Sequence, residues 1–430
     1  MTSSPSQSVH GVEHVLFLTL VQVAIIIVTA RIAGSLARRV GQPRAVGEIL
    51  AGLVLGPSVL GMLAPETFRL IFRSTDALPI SILSQLGLIM LMFQIGLEFD
   101  FSHLKASENR YAACLVSTVG ILAPFGLGLG FGWVSAPYLA PGVRTLNYAL
   151  FMATAFSITA VPILGRIMME FDLTRTRLGA ITISAAAVND VAGWTLLAFI
   201  SAGVAAHFSL NGMLRQIASL LFYFIGCLCV GRPVLRAIVR RFDFSAQRLS
   251  QNLMAVILVC VFISAMLTSW LGIFALFGAF MAGVLLHDQR TLVEAWRNKV
   301  ADLVTVMFVP IFFTYTGLRT NIGGLDTPEL WLWCGGLIGL AILGKVGGCY
   351  LGARLAGLER PEATNVAIMM NTRALMELIV LNVGFDLGVI PEKAFTMFVL
   401  TALVSTVITA PGLRTWLPRI QHVIPVGVDA

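Results

Sequence analysis

Apolar runs recur along the chain, separated by short polar stretches where arginine, proline and glycine collect. An α-helix needs about 20 apolar residues to cross the hydrocarbon of a bilayer. By that measure the pattern predicts about thirteen spans: 15–33, 45–60, 79–97, 111–133, 146–169, 178–202, 213–230, 253–270, 273–286, 303–318, 330–351, 363–385 and 394–413. The second, within GEILAGLVLGPSVLG, is short and glycine-rich and is expected to be tilted or partly re-entrant. The expected fold class is an all-α polytopic membrane protein.

Composition supports the pattern. Of 430 residues, 57% are hydrophobic and only 12% charged, and mean hydropathy is +0.88, whereas soluble proteins carry about 25% charged residues. The net charge of +7 therefore reads as loops facing anionic lipid, and no nucleic-acid partner is expected. Basic residues in the connecting segments and at span ends alternate with the predicted spans, 21 on one side against 6 on the other, leaving Lys345 and Arg373 deep inside spans. The positive-inside rule then places the N-terminus outside and the C-terminus in the cytoplasm, as expected for a protein of the bacterial inner membrane. This alternation needs an odd number of spans. An odd number suits two six-span halves of opposite orientation about a linking seventh, a common transporter plan.

Residues 1–14 read as a short polar tail without the basic n-region of a signal peptide, residues 15–413 as the transmembrane domain, and 414–430 as a short tail. No soluble regulatory domain is expected. The six cysteines lie in apolar runs without CxxC or zinc-ligand spacing, so neither disulfides, a transition-metal site nor another cofactor is expected.

Polar residues at membrane depth carry the chemistry. Asn189–Asp190 lies in the middle of ITISAAAVNDVAGWTLLAFI. A carboxylate at the bilayer centre costs roughly 2.5–3.5 kcal/mol on insertion scales, so it needs a partner, water or a cation. One carboxylate holds a proton or a cation, and competition between the two is the minimal chemistry of an exchanger. Lys345, inside LIGLAILGKVGGCYLG, is placed either to balance Asp190 or to bond backbone carbonyls. In MMNTRALMEL, Arg373 and Glu377 share a helix face, and Asn371–Thr372 before them suggests an interruption. In FSITAVPIL, Pro162 predicts another, with Ser157 and Thr159 able to satisfy freed carbonyls or ligate a cation. Paired interruptions at corresponding positions of two halves mark transporter binding sites. Glu48 and Glu98 read as interfacial or structural, and TYTGLRTNI as a span terminus with Arg319 at the outer interface.

Together, GEILAGLVLGPSVLG, FQIGLEFD, Asn189–Asp190, PIFFTYTGL, LGKVGGCYLGARLAGL and NTRALMELIVLNVG resemble the monovalent cation/proton antiporters, in the branch of plant cation/H+ exchangers and bacterial potassium-efflux and sodium/proton antiporters. No single motif is diagnostic; their order and spacing are, and they cover residues 15–413. The resemblance implies two inverted repeats with crossed, discontinuous helices in the fifth and twelfth spans, and a homodimer. Spans 1–3 and 8–10 would form the dimerisation part, and spans 4–6 and 11–13 a mobile core. It also implies that Asp190 binds cation and proton, with Asn189, Thr159 and Ser157 beside it, and that Lys345, Arg373, Glu377 and Asn371 serve charge compensation and coupling. Strongly electrogenic relatives have Asp–Asp where this chain has Asn189–Asp190, so electroneutral exchange of one K+ or Na+ for one H+ is expected, for pH and cation homeostasis. The alternative is a cation channel or a transporter-derived sensor without proton coupling. An intramembrane enzyme is not expected: HExxH and GxGD-type motifs are missing, and Asp190 has no second catalytic carboxylate in neighbouring spans.

Overall fold

The computed structural model describes residues 5–73, 77–98, 107–159, 161–171, 173, 176–205, 218–219, 221–242, 249–271, 275–373 and 375–419. Residues 213–217 and 220 of the seventh expected span, the side chain of Pro162, and Lys105, Arg175, Arg215 and Arg248 lie outside what is described. Within a bilayer every backbone N–H and C=O must be satisfied by protein, which selects helices, and helices dominate the described residues.

In chain order the helices are α1 (Pro5–Arg39), α2 (Arg44–Leu55), α3 (Leu78–Leu97), α4 (Ser107–Leu139), α5 (Thr145–Ser157), α6 (Val161–Glu170), α7 (Arg177–Ala205), α8 (Arg232–Val239), α9 (Gln251–Trp270), α10 (Ala275–Leu286), α11 (Val309–Leu318), α12 (Pro328–Leu355), α13 (Arg360–Met370), α14 (Leu375–Asp386) and α15 (Glu392–Trp416), with short helical turns between several of them. Among the described residues nine helices are long and apolar enough to cross a membrane, or ten if the bent pair Arg290–Ala301 and Val304–Gly324 is one span. Length and apolarity alone therefore do not reach thirteen. The difference lies at α10, which has 12 residues, and at two expected spans that are each split, into α5 with α6 and α13 with α14.

These two interruptions fall where the polar motifs predict them. The first opens at Ile158, whose backbone is extended (φ −76°, ψ 147°), and α6 restarts with proline in its first turn, where a missing N–H costs nothing. The second opens after Asn371 without proline or glycine. A further bend of 46° lies between Arg290–Ala301 and Val304–Gly324, at the start of the expected tenth span; the helical segment before it falls in what the sequence pattern reads as a connection. There π-helical turns at Arg297–Ala301 and Val304–Phe308 precede Pro310. Such widened turns absorb the missing donor and the ring of a proline.

Packing divides the helices into two groups. α1, α2, α3, α9, α10 and α11 pack mainly on one another; α4 to α7 and α12 to α15 form the second group. In the first, α2 and α11 touch backbone to backbone: a Cβ on Gly52 would collide with the Phe313 carbonyl, and one on Gly317 with the Gly52 carbonyl. Small residues allow this approach where lipid tails supply no hydrophobic drive for helix association. Ties between the groups include α2 against α15, Gln42 Nε2 donating to Val407 O (3.3 Å), Asn321 N to Thr396 Oγ1 (3.2 Å), an Arg319–Asp386 ion pair (2.6 Å) and Trp194 stacked on Phe280 (6.4 Å).

Candidate functional site

The site grows from the unfinished end of α5. A helix leaves its last four carbonyls without intrahelical donors, at the negative end of its dipole. Here each of the four has a side-chain donor. Ser157 Oγ turns back to Thr154 O (2.9 Å). Arg373 reaches across from the second interruption, giving Nη1 to Ala155 O (3.0 Å) and Nη2 to Phe156 O (2.9 Å), and it also bonds Ala341 O of α12 (2.8 Å). Lys345 Nζ donates to Ser157 O. Two buried cations thus sit where the dipole favours positive charge. The end of α13 is treated similarly: Thr159 Oγ1 donates to Met370 O (3.1 Å) and Thr372 Oγ1 to Met369 O (2.8 Å). The Thr159–Met370 bond joins the two interruptions directly.

Lys345 is fully buried and has three N–H groups to place. Besides Ser157 O it donates to Gly120 O of α4 (3.0 Å), and the Asn189 amide lies 2.8 Å away. That amide must present its oxygen, since an NH2 aimed at an ammonium would be repelled; amide orientation is assigned from neighbours in this way. Its nitrogen then donates to Ser117 Oγ (2.9 Å) and Ser117 O (3.3 Å), and its oxygen also lies 3.3 Å from Thr159 Oγ1.

Asp190 follows on the same unbroken helix, α7, about 100° further round, so amide and carboxylate face different surroundings. The side chain is 0% exposed, and neither carboxylate oxygen has a hydrogen-bond partner among the described residues. Buried polar groups are nearly always paired, which makes this carboxylate an open position of the site; the Glu377 oxygens also lack a hydrogen-bond partner among the described residues, but Arg373 stands 3.5 Å away as their counter-charge. Lys345 neighbours it electrostatically but spends its donors on two carbonyls and an amide. Of the two roles the sequence leaves open for Lys345, bonding to backbone carbonyls is the one the geometry shows.

Of the residues singled out from the sequence, Asn189, Thr159, Lys345 and the Ser157 backbone meet at the first interruption. Ser157's hydroxyl proton is spent on its own helix. Arg373 and Glu377 form a pair (3.5 Å), both fully buried, and Asn371 Oδ1, at the second interruption, has no partner among the described residues. Glu98 lies near Arg297 (3.7 Å) and Glu48 is buried on α2. Sequence reasoning missed Ser117 and the carbonyls of Gly120, Ala341 and Met370. Ser117 was findable as a hydroxyl in the apolar run AACLVSTVGIL; backbone carbonyls leave no mark in a sequence. It also missed a second polar cluster, in which Arg319 bonds Asp386 and Asn382 Oδ1 (3.2 Å) and lies over the Tyr315 ring (4.1 Å), while Asn382 Nδ2 donates to Thr316 Oγ1 (2.9 Å).

Comparison with known proteins follows the same outline. The family model described as sodium/hydrogen exchanger, transmembrane, matches residues 25–418. The Na(+)/H(+) antiporter NhaS4 of Synechocystis is 38% identical over 409 residues, 95% of this chain and 99% of that protein. Cation/H(+) antiporter 17 of Arabidopsis thaliana is 35% identical over 94% of this chain, which spans only 49% of the plant protein's length. Among solved structures, the sodium proton antiporter MjNhaP1 of Methanocaldococcus jannaschii superposes with a TM-score of 0.66 at 15% identity, covering 94% of this chain and 98% of that one; at that identity the likeness speaks for the fold.

Proposed function

Because the chain belongs to the transmembrane sodium/hydrogen exchanger family, we propose that it is a secondary active antiporter exchanging K+ or Na+ for H+, with no chemical conversion of a substrate. The observation that carries this reading is Asp190: a fully buried carboxylate with neither oxygen hydrogen-bonded among the described residues, on a helix that meets the crossing of two interrupted spans. A carboxylate in that setting is costly when bare. A proton or a dehydrated monovalent cation relieves the cost, and the two exclude each other. Thr159, Asn189 and Ser157, which meet at the first interruption, are the candidate neutral oxygens, and Asn371 offers one more at the second interruption. Arg373 with Glu377 couples the two interruptions, since Arg373 holds the end of α5 while its own backbone leads into α14.

The cycle follows. Asp190 loads a cation from one side, the second helix group shifts relative to the first, the cation leaves, and a proton neutralises the carboxylate for the return. Asn189 adds no second titrating acid. The three donors of Lys345 stay engaged on Gly120 O, Ser157 O and Asn189, so cation loading displaces no proton from it, and the exchange is one for one and electroneutral. In this reading α4 to α7 and α12 to α15 are the moving core, and α1 to α3 and α9 to α11 hold a homodimer together; the uneven packing between the groups supports the division. The distribution of basic residues supports an outer N-terminus and a cytoplasmic C-terminus.

The test is exchange in proteoliposomes carrying a pH-sensitive dye, with Na+, K+, Li+ and Rb+ added in turn. Wild type is expected to move protons on addition of at least one of these ions, at a rate unchanged when the membrane potential is clamped. Asp190→Ala is expected to abolish exchange while remaining folded. Full activity in that variant would sink the site assignment, and a strong dependence on potential would sink electroneutrality.

A further inference from the structure

We propose that Ser117, on α4, is a positioning residue that keeps Lys345 off Asp190 by fixing the direction of the Asn189 amide; the proposal rests on the antiport reading above. Ser117 is fully buried. It presents two acceptors to one amide nitrogen, its hydroxyl at 2.9 Å and its carbonyl at 3.3 Å. An amide held by its nitrogen on one side must turn its oxygen to the other, and on that side stands Lys345 Nζ at 2.8 Å. Gly120, which accepts a second Lys345 donor (3.0 Å), lies one helical turn along α4 from Ser117. One turn of α4 therefore holds Lys345 twice, directly through a carbonyl and indirectly through Asn189.

The consequence concerns the third N–H of Lys345. With the amide oxygen in place, all three are used and Asp190 has no hydrogen-bond partner among the described residues. Without the Ser117 hydroxyl the amide keeps only its weaker bond to the carbonyl and is free to swing. When its oxygen turns away, Lys345 regains one donor and takes the nearest strong acceptor. The titratable or charged groups that interact with Lys345 from the surrounding elements are Asp190 of α7, Arg373 of the second interruption, Glu377 of α14 and Cys349 of α12 itself. Glu377 already has a cation of its own in Arg373 (3.5 Å), whereas Asp190, next to Asn189 on α7, has no ion pair among the described residues, so Asp190 is the acceptor expected to take the freed donor. An Asp190 paired with Lys345 binds a cation less well, because the ammonium competes for the same oxygens. It is also harder to protonate, because the pair favours the charged carboxylate. Ser117 thereby sets how freely both transported ions reach Asp190, without touching either.

The experiment compares wild type, Ser117→Ala, Ser117→Thr, Asn189→Ala and the double variant Ser117→Ala/Asn189→Ala in proteoliposomes, measuring KM and Vmax for the preferred cation across pH. Losing one neutral hydrogen bond changes an equilibrium by about 3- to 10-fold. Ser117→Ala is expected to raise the cation KM by about that factor with Vmax largely kept, and to move the acid limb of the pH profile to lower pH. Ser117→Thr, which keeps the hydroxyl, is expected to restore both. The double variant is expected to behave like Asn189→Ala alone, since the serine acts only through the amide. A Ser117→Ala protein with unchanged KM and pH profile, or with a lowered Vmax alone, overturns the proposal while leaving the antiport reading intact. Additive effects in the double variant overturn it as well. A folded wild type that exchanges none of the four ions overturns the antiport reading and this proposal with it.

Discussion

Arg373 shows how much a single side chain does at the crossing. Its guanidinium bonds three carbonyls on two helices and pairs with Glu377, all without solvent. Removing one partner of such a buried pair leaves an uncompensated charge, which costs roughly 3–5 kcal/mol. Arg373→Ala is therefore expected to lower the unfolding temperature in detergent sharply, as read by loss of the monodisperse peak after heating. Glu377→Gln also leaves the arginine charge uncompensated, but it keeps the three carbonyl bonds of Arg373 and a neutral acceptor beside it, so it is expected to cost less. A lysine at 373 is a poor substitute, because one ammonium does not reproduce the fork that spans Ala155 O and Phe156 O. Equal stability of wild type and Arg373→Ala would show that the α5 carbonyls find other donors. At this scale the sequence was legible for acids, amides and cations, which stand out in apolar runs. It was not legible for the carbonyls they bind, which every residue carries.

Among the elements, the interrupted spans and the glycine-lined helix pair set the geometry. The interruption between α5 and α6 is announced by proline. That between α13 and α14 has only Asn371–Thr372 to mark it, and it persists because Thr159 and Thr372 give donors to the Met370 and Met369 carbonyls that a continuous helix would have satisfied for itself. The pair α2 and α11 makes a separate demand. Gly52 and Gly317 meet face to face with no room for a Cβ, and overpacking of this kind costs about 1–3 kcal/mol. Gly52→Ala is expected to lower thermal stability by that order, and Gly52→Leu to impair folding, both measurable by thermal unfolding of the detergent-solubilised protein. Gly126→Ala serves as a control, because a Cβ there meets open space. The bend before Pro310 was not read from the sequence, since a proline predicts a perturbation and not whether π-turns upstream will absorb it.

The whole molecule is two helix groups joined by a modest set of ties, and Arg319 is among the most connected of them. From the end of α11 it reaches Asp386 and Asn382 of α14, and through Tyr315 it connects to Ser81 of α3 (3.0 Å from the Tyr315 hydroxyl). If the groups move relative to one another during transport, this cluster must open in one of the two states. Arg319→Gln is expected to favour the state in which it is open. Single cysteines introduced at Asn382 in an otherwise cysteine-free protein would then react faster with a membrane-impermeant maleimide in the Arg319→Gln background than with Arg319 present. Equal labelling rates would mean that the cluster does not restrain the motion.

The sequence alone determined the membrane class, the approximate spans, the alternation of charge and the interruptions on either side of Asp190, because the cost of placing polar groups in hydrocarbon is local and shows in composition and order. Only the tertiary structure decided which polar groups satisfy one another. Lys345 turned out to serve carbonyls and the Asn189 amide, Ser117 entered the site from an otherwise mostly apolar stretch of α4, and Asp190 was left without a hydrogen-bond partner among the described residues. These outcomes depend on distances between helices far apart in the chain, and on hydrogen-bond donors being limited in number: a donor engaged by one carbonyl is withheld from the next acceptor.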